Sequence, residues 1–116
     1  MIGYNRESFN CAHWAIREIN SIHGTNILFC DNDAWQASFI PFLRKFFNPV
    51  NNPSKNCLVV MHQKSGGMHL GVFVDWQVHH NYNAGYSGCV TISDIGTIRS
   101  MYKKVRFYEV NKKVFK

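Results

Sequence analysis

The apolar positions change period part-way along the chain. Near the start, Ala12, Ala15, Ile16, Ile19 and Ile22 recur at spacings of three and four, the stripe of an amphipathic helix. Asn10 is an N-cap residue for it, and Gly24 is a stop just past its last periodic position. Asp31 to Asp33 supply caps for a second helical stretch, Ala34 to Ile40, which Pro41 either kinks or follows with a new turn through Phe47. The turn-rich run NPVNNPSKN, Asn48 to Asn56, then separates a helical half from a β-rich remainder. In that remainder Cys57 to His62 reads as a buried strand, Lys64 to Gly67 as a turn and Met68 to Asp75 as the next strand. A short turn, Asp75 to Gln77, leads to a third strand, Val78 to Tyr82, and Cys89 to Ile92 is a fourth. Ser93 or Asp94 caps a short helix to about Met101, and Val105 to Val110 closes the sheet. The pattern predicts an α+β fold, an antiparallel sheet with helices packed on one side.

Length adds that 1–116 is a single domain with one modest core. A hydrophobic content of 46% and an aromatic content of 15% argue for a packed globule over a disordered chain. No apolar run approaches the ~18 residues of a membrane span, and MIGYNRES has no apolar signal-peptide core, so no export by the usual route is expected. Cys11, Cys30, Cys57 and Cys89 are scattered, with no CxxC pair. Without a secretion signal, reduced thiols are the expectation. The net charge of +6 gathers near the end, where RSMYKKVRFYEVNKKVFK sets seven Lys and Arg residues against Glu109. Such a balance favours anionic partners: nucleic acid, cell-wall polymers or an acidic protein face.

Two stretches carry candidate chemistry. In FNCAHWAIREI, Cys11 falls in the first turn of a helix, where unpartnered backbone N–H groups and the macrodipole stabilise a thiolate. The alternative for a lone cysteine is packing as a small hydrophobe. In HLGVFVDWQVHH, His69 lies near the start of a strand, and Gly71, two residues on, leaves the same face open beside the imidazole. A tight turn brings His79 and His80 onto the adjacent strand, and alternation lets one of them share the face of His69. A helix-start cysteine, a strand histidine and a polar neighbour are the parts of an activated thiol: nucleophile, base and orienting group. Zinc ligation by His62, His69, His79, His80 and Cys57 is the other chemistry open to these side chains, but no pair sits at a zinc-finger spacing. No metal or cofactor is called for.

These blocks resemble the NlpC-type cysteine peptidases, papain-like enzymes of bacteria and phages that cut peptidoglycan stem peptides, and the small phage-encoded members most of all. FNCAHWA resembles the family's Phe-Asp-Cys block, KNCLVVM the strand that follows, HLGVFV its His-Val-Gly-Ile-Tyr-Ile strand, and QVHHN the strand ending in its third catalytic residue. The blocks come in the family's order, from Phe9 to about Val110. The resemblance implies a papain-like fold with N-terminal helices on a central antiparallel sheet. It also implies Cys11 as nucleophile, His69 as general base and His80 as the orienting residue. Tyr4, with His13 and His79, would belong to the oxyanion or substrate side. The implied partners are a peptidoglycan stem peptide and other phage tail proteins, with no nucleic acid. The implied setting is the host cytoplasm during assembly and then the virion tail. The chain departs from the family pattern at Asn10 for Asp, at Ala12-His13 for Ser-Gly and at Lys55-Asn56 for Gly-Asp. His13 and the missing Gly-Asp keep open a structural tail protein that retains the fold without turnover, whereas Asn caps a helix about as well as Asp.

Overall fold

The computed structural model describes residues 11–27, 35–64, 66–83 and 88–115, with the backbone alone for 11–13, 35–38, 81–83, 88–91 and 114–115. The first helix, α1 (Cys11–His23), buries Trp14, Ala15, Ile16 and Ile19, while Ile22, at the end of the predicted stripe, is exposed. Gly24 terminates it in the left-handed region (φ +66°), a conformation that glycine adopts without a Cβ clash. Asn10, read as its N-cap, and Ala34, read as the start of the second helix, lie outside the described residues.

The second helix, α2 (Trp35–Phe46), continues through Pro41 as one element, where the sequence left open a kink or a new turn. Proline removes one backbone hydrogen bond, and burial of Phe39 and Leu43 on either side offsets that loss. Phe42 sits among Phe39, Phe46 and Phe47, with ring centroids 5.2 to 6.4 Å apart. The chain passes without a linker into β1 (Phe47–Val50), a strand where the sequence reads as connector. Pro49 is tolerated because β1 is an edge strand, paired only with β6.

The remaining strands are β2 (Leu58–His62), β3 (Met68–Val74), β4 (Gln77–Asn83), β5 (Gly88–Asp94) and β6 (Lys104–Val110), with α3 (Ile95–Met101) between the last two. Together they form a six-stranded antiparallel sheet in the order β1-β6-β2-β3-β4-β5. Strand alternation divides the core in two. Leu58, Val60, Leu70 and Val72 pack with α1 and α2 on one face. Cys57, Val59, Met61, Phe73 and Val78 pack on the other with Ile98 and Tyr102, contributed by α3 and its C-cap. Helices on one side were expected; the N-terminal pair does lie together, but α3 closes the opposite face. Its only fully buried residue is Ile98, too little to give a face away in sequence. No described helix is long and apolar enough to cross a membrane.

Candidate functional site

The β3–β4 hairpin turns at Asp75-Trp76, both at positive φ (51° and 66°), between the paired residues Val74 and Gln77. That is the geometry of a two-residue primed turn, and it fixes the register of the hairpin. Val72 then faces His79, and Phe73 faces Val78. His80 falls on the α3 face of the sheet, as does His69, while His79 falls on the face shared with Val72 and α1. His69 Nε2 and His80 Nδ1 lie 2.8 Å apart, with the rings edge to face at 82°. His80 Nε2 lies 3.2 Å from Ser93 Oγ on β5. The sequence brings the first two together by alternation across a tight turn. Ser93 is read there only as a possible helix cap.

Asp94 takes that cap. Its carboxylate accepts from the Thr97 amide (3.0 Å) and hydroxyl (2.7 Å), so the Ser93 hydroxyl remains with the strand. Tyr102, the C-cap residue of α3, lays its ring nearly parallel to His69, at 8° and 6.3 Å between centroids. Both histidines are buried, His69 at 6% exposure and His80 at 4%. Burial pushes each imidazole well below the ordinary histidine value, with His80 adding to the shift at His69 and His79 to that at His80. Neutral rings bond as one donor and one acceptor, and the contact serves either tautomer pair.

Gly71 does not leave the face open, as its small size suggested. A Cβ there would meet Val78 Cγ1 at 2.7 Å, the His79 carbonyl at 2.9 Å and His80 Cβ at 3.2 Å. The glycine is needed because β4 comes close, and the imidazoles sit in packed surroundings.

Cys11 is the first residue of α1, its side chain outside the described ones, as is that of His13; Tyr4 lies outside the described residues altogether. The helix itself is placed. It lies along β3 and β4, and at its far end His23 Nε2 meets the Asn56 carbonyl at 2.9 Å. Asn56 bonds through its amide to the Phe73 carbonyl, at the far end of β3 from His69. A 13-residue helix spans roughly 20 Å, about the length of a seven-residue strand. Cys11 therefore comes at the end of the sheet that carries His69. The buried side of α1 packs on the opposite face from the two imidazoles.

Positive charge collects at the same end. Lys64 lies in the β2–β3 turn, and Lys104 pairs with His62, which burial and then Lys104 and Arg106 push below its ordinary value. Arg99, Lys104 and Arg106 line one cleft of about 260 Å³ beyond the end of β1. Asp75, Asp94 and Glu109 fall toward the opposite end of the sheet, where Lys55 and Lys112 partly offset them. Cys57 is a free, buried thiol whose surroundings push it up to about 11, chiefly through loss of water. Among the described residues, no three His, Cys, Asp or Glu side chains converge as a metal site.

No family model matches the chain, and comparison with curated proteins and with solved structures gives no match either.

Proposed function

We propose that the chain is a small thiol hydrolase of papain-like, NlpC-type fold that cleaves amide bonds in peptidoglycan stem peptides as a phage tail component. The observation that supports it most is the 2.8 Å contact between His69 Nε2 and His80 Nδ1 at the end of the sheet toward which α1 begins. With the Nε2–H of His69 donating to His80, the Nδ1 of His69 becomes its basic nitrogen. Cys11 attacks the amide carbonyl, and its proton passes to His69 Nδ1. The same nitrogen returns that proton to the leaving amine, then takes one from the water that hydrolyses the thioester. Backbone N–H groups at the start of α1, that of Cys11 included, hold the oxyanion, with Tyr4 and His13 on the substrate side. Because α1 packs on the face opposite the imidazoles, this chemistry requires thiol and base to meet beyond the end of β3. The cationic end suits carboxylate-bearing peptides in a wall of anionic polymers.

A second reading, an assembly protein that keeps the fold without turnover, draws on the burial of His69. Loss of water weakens an imidazole as a base unless a thiolate alongside restores its proton affinity. Mass spectrometry of stem peptides released from purified peptidoglycan separates the two. His80→Ala is expected to lower the cleavage rate by ~10² or more, and His79→Ala, on the other face, to leave it nearly unchanged, with melting curves as the folding control. No cleavage by the parent protein, on walls from several bacteria, would move the weight to the assembly reading.

A further inference from the structure

Ser93 ends the hydrogen-bonded run that joins His69 to His80 and His80 to β5. Ser93 is on β5 opposite Val78, one diagonal step from His80, on the α3 face of the sheet. The helix that begins two residues later does not engage it, since Asp94 caps the amide of Thr97. Its hydroxyl lies 3.2 Å from His80 Nε2, while the other nitrogen of that ring is 2.8 Å from His69. An imidazole turned by 180° about its Cβ–Cγ bond would exchange Nδ1 for a carbon and lose the His69 contact. A bond at Nε2 opposes that turn, because the same rotation carries Nε2 away from Ser93. A hydroxyl suits the task in either tautomer, for it both donates and accepts.

We infer that Ser93 is a positioning residue: it fixes the ring orientation of His80, and through His80 that of His69. The geometric part of this stands on the two contacts alone, and its consequence for chemistry rests on His69 being the base for Cys11.

The pair Ser93→Thr and Ser93→Val tests it, since the two side chains have nearly the same shape and only threonine keeps the hydroxyl. In protein carrying ¹⁵N-labelled histidine, the hydrogen bond between the rings gives a nitrogen–nitrogen coupling linking His69 Nε2 to His80 Nδ1. That coupling should persist in the parent and in Ser93→Thr and be lost in Ser93→Val at an unchanged melting temperature. Coupling retained in Ser93→Val overturns the inference. The alkylation rate of Cys11 at about pH 6.5 should fall about five- to tenfold in Ser93→Val, the weight of one net hydrogen bond, and recover in Ser93→Thr. Loss of the coupling with no change in that rate supports the role of Ser93 and counts instead against His69 as the base of Cys11. If Ser93→Val does not fold, Ser93→Ala takes its place in the same comparison.

Discussion

His80 has to be neutral to accept a hydrogen bond from the Nε2–H of His69, and its surroundings keep it so. Burial, with His79 close by, lowers its proton affinity below the ordinary value of 6.5. The unfolded chain, whose histidine keeps that ordinary value, therefore binds a proton first as the pH falls. Stability is unaffected by this group above about 6.5 and declines below it, by up to ~1.4 kcal/mol for each pH unit until the folded protein also protonates. Denaturant titrations at pH 7 and pH 5 should show the parent losing stability and His80→Gln losing about 2 kcal/mol less between them. Equal losses in the two proteins would mean that His80 is charged in the fold. Another buried polar atom stands apart from these contacts. Among the described residues, Trp14 Nε1, on the first turns of α1, is buried without a hydrogen-bond partner. An unpaired indole N–H of that kind costs roughly 1–3 kcal/mol, so it weakens the packing that Trp14 otherwise gives α1.

Among the elements, the β3–β4 hairpin determines whether the two imidazoles meet. Its close approach at Gly71 leaves no room for a methyl group, and one of the three nearest atoms is the backbone carbonyl of His79, which cannot rotate away. Gly71→Ala should therefore destabilise the fold by about 1–3 kcal/mol and separate His69 from His80. A melting temperature equal to that of the parent would show that β4 can give way. The sequence made this hairpin legible: a β-branched apolar run, a two-residue turn and a second run fix which side chains share a face. It misled about the space over Gly71, because a glycine opening a surface and a glycine admitting a neighbouring strand look alike before the neighbour is placed. It also concealed β1, where Asn48 and Pro49 read as loop and only pairing with β6, some sixty residues on, makes them a strand. Ser93 was hidden by Asp94, since either residue can cap a helix and only the geometry shows which one does.

For the molecule as a whole, the two-faced core separates what a thiol enzyme must unite. One face holds α1 and the other holds the imidazole pair, so the proposed chemistry requires the Cys11 thiol and His69 to meet past the end of β3. That end carries the positive charge of Lys64 and Lys104, which draws anionic groups toward it. Whether His69 activates Cys11 is read from the rate of Cys11 alkylation measured against pH in the parent and in His69→Gln. Cys57, buried and pushed up to about 11, serves as the internal unreactive thiol. Cys11 in the parent is expected to react as a thiolate well below the free-cysteine value of about 8.5, and His69→Gln to lower its rate near pH 6.5 at least ~10-fold. A Cys11 that titrates near about 8.5 and reacts equally fast in both proteins would contradict activation by His69.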